Sequence, residues 1–251
     1  MLLKQAPAVI VQVKDHGDSD KIVTLYTLDE GKISAIAKGA KRSKKRFVNK
    51  LELFSLLNVS YAPGRTTSLA RLDQAELITN YPSLHQNYGQ YVAASLLCEL
   101  VLFWTREHDR EDELFQLLTW ALEGLAMGVT SAQLIIFFHV KMLEILGFRP
   151  LLNGCGNCGT LAPQAAPYRF SPMRNGLICG QCEHAPSGPG LEVSMQTIQL
   201  LRKVQELDIC KLPRLHFSKA AILESIALLK RYDSHLLQRE LQSWNYLQQL
   251  L

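Results

Sequence analysis

Hydrophobic positions change their period once along this chain. Between residues 8 and 80 they alternate or form short β-branched runs; beyond 81 they recur every three or four residues. Ala8–Val13 predicts a strand, Gly17-Asp18-Ser19-Asp20 a turn and Ile22–Leu28 a second strand. Asp29-Glu30-Gly31 predicts a hairpin turn and Ile33–Lys38 a third strand. Leu53–Tyr61 and Ser68–Ile78 follow, with a Pro63-Gly64 turn between them. Five short strands in about seventy residues predict a small barrel, because closure removes exposed edges. The pattern alone leaves an OB-type barrel and other five-stranded barrels open.

Near Tyr81-Pro82-Ser83 the period becomes helical. Val92, Leu96, Leu100 and Trp104 mark one stripe, and Leu114, Leu118, Ala121, Leu122 and Leu125 the next. Thr130-Ser131 is placed to cap an apolar helix over Leu134–Leu146, which Gly147 ends. His139, Lys141 and Glu144 inside that stretch mark a buried helix and not a membrane span. Three more stripes close the chain: Met195, Ile198, Leu201, Val204; Ile222, Ile226, Leu229; Leu237, Leu241, Trp244, Leu247. The expected fold class is α+β in two domains: a small β-barrel over 1–80 and an all-α domain over 81–251. A cysteine-bearing hairpin over 150–190 is inserted among the helices.

Two hooks, Cys155-Gly-Asn-Cys158 and Cys179-Gly-Gln-Cys182, stand 20 residues apart. This spacing fits one structural zinc held by Cys155, Cys158, Cys179 and Cys182, since zinc takes four soft ligands in a tetrahedron. His184 is a weaker candidate, because four thiolates already close the shell. The Pro- and Gly-rich connection has few large apolar residues, which suits a segment stapled by metal. Gly154, Gly156 and Gly159 match G-x-G-x-x-G, but a dinucleotide fingerprint follows a strand and opens a helix. Here a helical run precedes and prolines follow, so the cysteine hooks explain those glycines better. Cys98 and Cys210 lie on apolar helical faces and are expected in the core.

Net charge is +4 over 251 residues. Residues 1–80 hold 13 Lys+Arg against 8 Asp+Glu, and the remainder 14 against 15, so the excess sits on the barrel. Lys38, Lys41, Arg42, Lys44, Lys45, Arg46 and Lys50 place seven cations in thirteen residues with no acid. Gly39 and Ser43 suit a mobile loop there. Such a loop on a barrel can follow a phosphate backbone, so all seven are candidate nucleic-acid contacts. Phe47, Tyr26, Phe54 and Tyr61 are the aromatic residues nearby; each reads as core before it reads as a base-stacking group. No phosphate loop, zinc-protease or deaminase signature is present, which favours a binding protein over an enzyme. The N-terminal residues lack a signal-peptide pattern, and reduced thiols point to the cytoplasm.

Placed in order, these segments resemble the RecO family of bacterial recombination mediators. The matching residues are Gly17-Asp18-Ser19-Asp20, Lys38-Gly-Ala-Lys41-Arg42, Leu53-Phe54, Tyr61-Ala-Pro-Gly64-Arg65 and Ala75-Glu76. Leu146-Gly147-Phe148-Arg149-Pro150 then leads into Asn153-Gly-Cys155 and Cys158-Gly159. The resemblance implies an OB-fold barrel followed by a helical domain with a zinc-finger insertion. It implies binding of single- and double-stranded DNA, annealing of complementary strands and help in loading RecA. RecR, single-strand-binding protein and in some settings RecF are the implied partners, with no membrane and no hydrolytic site. The setting implied is the bacterial cytoplasm, at the nucleoid. The other reading of the same features is a zinc-ribbon RNA-binding or transcription-associated factor with a basic barrel.

Overall fold

The computed structural model describes residues 3–64, 69–161, 168–182 and 190–248. The packing divides the chain into two compact units, 1–129 and 130–251.

In the first unit, β1 (Lys4–His16), β2 (Asp20–Thr27), β3 (Gly31–Ala37), β4 (Leu56–Ala62) and β5 (Ala70–Thr79) close into a barrel in the order β1-β2-β3-β5-β4. The seam between β3 and β5 is parallel, at Ala35↔Ala70, and every other pair is antiparallel. Alternation is plainest on β3, where Ile33, Ala35 and Ala37 are buried and Lys32, Ser34 and Ile36 are partly exposed. Period-two alternation thus turns one face into the barrel interior, filled by Ile10, Val23, Leu25, Leu57, Val59 and Leu72.

The fourth strand begins three residues later than its hydrophobic run. Phe54 sits in the left-handed region at φ 71, donates its N–H to the Ile10 carbonyl at 3.0 Å, and is fully buried. Ser55 accepts the Ile10 N–H at 3.1 Å, next to the bulge of β1 between Ile10 and Gln12. A corner that seats Phe54 in the core therefore replaces the start of a strand.

Three helices complete this unit: α1 (Pro82–Gln86), α2 (Tyr88–Trp104) and α3 (Asp112–Ala126). Asn87 caps α2, its Oδ1 accepting the Gln90 N–H at 3.1 Å. At the other end, Lys32 of β3 donates Nζ–H to the carbonyls of Leu102 (2.6 Å) and Thr105. A half-buried cation on those last carbonyls satisfies acceptors the helix leaves open and complements its dipole. Gly31 is required where the connection after α2 passes, since a Cβ there would lie 1.9 Å from the Asp109 carbonyl oxygen.

The second unit holds α4 (Ser131–Ile145), α5 (Met195–Glu206), α6 (Lys219–Leu237) and α7 (Gln242–Gln248). Between α4 and α5 lies a four-stranded sheet of order β6-β8-β7-β9. Its strands are β6 (Leu151–Cys155), β7 (Tyr168–Ser171), β8 (Gly176–Cys179) and β9 (Leu191–Val193). Gly147, at φ 79, ends α4 as expected, but Thr130 at its N-cap makes no side-chain capping bond among the described residues. Leu237 belongs to α6, because Gln238 at φ 52 breaks the helix before α7 begins.

Two expectations change here. Cys98 is buried in α2, but Cys210 is exposed: α5 ends at Glu206, and Cys210 lies in a 3-10 turn over Ile209–Arg214. The inserted segment is also better provided with apolar side chains than its proline and glycine content suggested. Tyr168, Phe170, Leu177 and Ile178 are all buried, and Phe170 packs edge-on against Tyr232 of α6 at 5.5 Å.

Candidate nucleic-acid interface and metal centre

The four hook cysteines converge. The Sγ atoms of Cys155, Cys158, Cys179 and Cys182 all lie within 4.8 Å of one another, and Cys158 Sγ is 3.8 Å from Cys179 Sγ. A tetrahedron with Zn–S bonds of ~2.3 Å has edges of about 3.8 Å. None of the four is in a disulfide. Cys155 ends β6 and Cys179 ends β8, so the parallel pairing of these strands sets the hooks side by side. Each hook then turns back on itself. Gly159 N–H bonds the Cys155 carbonyl at 2.9 Å, and Cys182 N–H bonds the Cys179 carbonyl at 2.9 Å.

The local glycines serve this turn. Gly159 has φ 73, and a Cβ on Gly154 would approach the Thr160 carbonyl oxygen to 2.7 Å. Backbone amides also point at sulfur, with Cys179 N–H 3.4 Å from Cys155 Sγ. Burial pushes the Cys155 thiol up, yet the amides of Cys158, Cys179 and Asn157 outweigh it and hold its pKa at about 6. Asn157 favours the Cys182 thiolate, but the neighbouring sulfurs and burial keep that thiol up at about 11. Four soft donors, closely grouped and with amides aimed at sulfur, fit a metal ion with a closed shell. His184 lies outside the described residues.

The cationic segment Lys38–Lys50 bridges β3 and β4 and is held against the barrel at several points. Gly39 donates its N–H to Asp20 Oδ1 at 2.8 Å, and Lys41 N–H bonds the Ser19 carbonyl at 2.9 Å. Lys41 Nζ lies 3.0 Å from both the Gly17 carbonyl and Asp15 Oδ2. Phe47 and Leu51 are buried in the barrel core. Arg46 stacks over Phe47 at 5.0 Å and donates to the Lys38 carbonyl at 3.2 Å and the Asp73 carbonyl at 3.4 Å. Lys50 Nζ donates to the Ala75 carbonyl at 2.8 Å.

The seven cations therefore divide. Lys41, Arg46 and Lys50 meet acceptors of the barrel, whereas the exposed side chains of Lys38, Arg42, Lys44 and Lys45 make no hydrogen bond or ion pair among the described residues. Beneath the segment lies a pocket of about 190 Å³ lined by Lys21, Lys41, Ser43, Phe47, Asn49 and Glu52 among others. Tyr26, Phe47, Phe54 and Tyr61 are all buried, so none offers a face to a base.

Sequence reasoning missed one buried polar cluster in the second unit. His139 Nε2 of α4 lies 2.9 Å from Asp233 Oδ1 of α6, and Trp244 of α7 donates its indole N–H to Asp233 Oδ2 at 2.8 Å. No local signal pairs residues so far apart in the chain.

Comparison with known proteins agrees with these parts. The profile for Recombination protein O N terminal matches residues 1–81, and that for Recombination protein O C terminal matches residues 85–245. The chain is 35% identical over 243 residues to the DNA repair protein RecO of Syntrophus aciditrophicus, covering 96% of this chain and 93% of that protein. It is 31% identical over 252 residues to the DNA repair protein RecO of Symbiobacterium thermophilum, covering 100% and 98%. A closed OB-like barrel with a cationic segment, joined to a helical unit with a four-cysteine cluster, marks a protein of DNA repair and recombination. The chain belongs to the RecO family.

Proposed function

We propose that the protein is a recombination mediator that binds single- and double-stranded DNA and anneals complementary strands. It helps load RecA onto single strands coated by single-strand-binding protein, in concert with RecR and, in some settings, RecF. What supports this is family membership along the whole chain together with four unpaired cations on the barrel surface. Annealing needs two like-charged backbones brought together, and an exposed cationic face lowers that repulsion. The protein acts by binding and not by breaking bonds, in the bacterial cytoplasm at the nucleoid.

Lys38, Arg42, Lys44 and Lys45 make the phosphate contacts in this reading. Lys41, Arg46 and Lys50 fix the segment's path and add to its field. Cys155, Cys158, Cys179 and Cys182 hold one structural zinc, which supplies cross-linking of the two hooks and no catalysis. The helices beyond residue 81 carry the contacts to protein partners. An annealing assay on strands coated with single-strand-binding protein, with and without RecR, tests the whole reading. Faster annealing than the coated strands alone is expected, and the same rate with and without the protein would contradict it.

A further inference from the structure

The cationic segment runs directly into an aromatic patch on the same compact unit. Glu52 is the single acid between Lys38 and Phe54. Three residues after Lys50, the Leu53 carbonyl lies 3.2 Å from His85 Nε2 of α1. Three residues of chain span at most about 11 Å, so the end of the cationic segment and this patch are near neighbours. Phe54 forms the floor of the patch. Its ring is 5.3 Å from His85 and meets Tyr91 edge-on at 5.5 Å, with His85 and Tyr91 6.1 Å apart.

His85 and Tyr91, the rings that meet Phe54, are open to solvent, and so is Tyr88, three residues before Tyr91 on α2. Tyr88 is 58% exposed and Tyr91 36%, and His85 is exposed too. Tyr88 continues the Val92–Leu96–Leu100 stripe of α2 one turn beyond the point where the core ends. It is the part of that apolar stripe left uncovered. Ile78 at the end of β5, 52% exposed, adds apolar surface close in the chain to α1.

We infer that His85, Tyr88 and Tyr91 form a stacking platform for the bases of a single strand whose phosphates lie on Lys38, Arg42, Lys44 and Lys45. This rests on the reading of the barrel as a single-strand binder and adds where the bases go. Single strands are held by cations that track phosphates plus aromatic faces that take bases. The buried rings of the barrel cannot serve, and this patch supplies the missing faces. Tyrosine suits the task, with an apolar ring to stack and a hydroxyl that stays hydrated. A protein partner would need no run of cations leading to the patch.

The test uses the full-length protein with oligo-dT and an abasic sugar-phosphate strand of equal length. Tyr88→Ala and the double variant Tyr88→Ala/Tyr91→Ala should weaken oligo-dT binding roughly 5- to 30-fold, within the range for base–aromatic stacking. Affinity for the abasic strand and the salt slope on either strand should stay as in the unsubstituted protein. Tyr88→Phe/Tyr91→Phe should retain oligo-dT binding, because it keeps both rings. Because Tyr91 touches Phe54, the exposed Tyr88 variant provides the reading if the double variant fails to fold by circular dichroism. Unchanged oligo-dT affinity in folded Tyr88→Ala overturns the inference, as does an equal loss on the abasic strand. Either result leaves the phosphate contacts standing, since those are read by the salt slope.

Discussion

Lys50 Nζ and the Ala75 carbonyl, 2.8 Å apart, join the end of the cationic segment to β5. A lysine in a run of basic residues is here a clamp within the barrel. A charged donor on a carbonyl is worth about 1.5–3 kcal/mol when dry, and less where water reaches it. Lys50→Ala should therefore destabilise the first unit by roughly 1 kcal/mol in urea unfolding. Lys44→Ala and Lys45→Ala remove exposed side chains that make no hydrogen bond or ion pair, and should leave stability unchanged.

Asp20 anchors the other end. Its carboxyl accepts the Gly39 N–H and the Ser19 hydroxyl, both at 2.8 Å, and these bonds hold its pKa below the usual carboxylate range. A depressed folded pKa means the anchoring is complete above the ordinary carboxylate value and is lost as pH falls through the lower folded one. An NMR titration of Asp20 should show that depressed midpoint, and the Gly39 amide should shift with it. Asp20→Asn should remove the pH dependence of the Gly39 signal.

Replacing Cys158 with Ser should release most of the bound zinc, as read by elemental analysis of reduced protein. Loosening should centre on the two hooks, because Tyr168, Phe170 and Leu177 are buried and Phe170 packs on Tyr232 of α6 whether or not metal is bound. Hydrogen exchange should therefore rise at 155–160 and 179–182 more than along β7. Protein purified without metal and with two disulfides would refute the zinc assignment.

The boundaries between strand and helix were legible because period two and period 3.6 cannot be confused over long runs. Packing partners were not. The stripe on α2 announced a helix with one apolar face, yet nothing in it says that Lys32 of β3 reaches its final carbonyls. The cysteine hooks were readable because their ligands are close in sequence. Division of the seven cations was not, since Lys41, Arg46 and Lys50 are held by an aspartate and by backbone carbonyls of Gly17, Asp73 and Ala75 that the barrel fold brings close. Phe54 misled the strand boundary for a related reason: a corner at positive φ leaves no composition signal when a bulky residue fills it.

His139, Asp233 and Trp244 tie α4, α6 and α7 together in a site shut off from water. Removing Asp233 takes away the acceptor of the Trp244 indole N–H, and a buried donor left without a partner costs about 1–3 kcal/mol. Asp233→Ala should lower the unfolding midpoint of the second unit by several degrees. Nucleic-acid binding by the barrel should be unaffected in protein that remains folded.

The central claim is that exposed, unpaired cations on the barrel hold the phosphates. Binding isotherms for poly-dT across a salt series measure it most directly. Each phosphate neutralised on a single strand adds about −0.7 to the log–log slope. Changing Lys38, Arg42, Lys44 and Lys45 together to Ala should flatten the slope by up to about 3 units and weaken mixed-sequence strands by a similar factor. An unchanged slope in that folded variant would contradict the account and place the DNA path elsewhere on the protein.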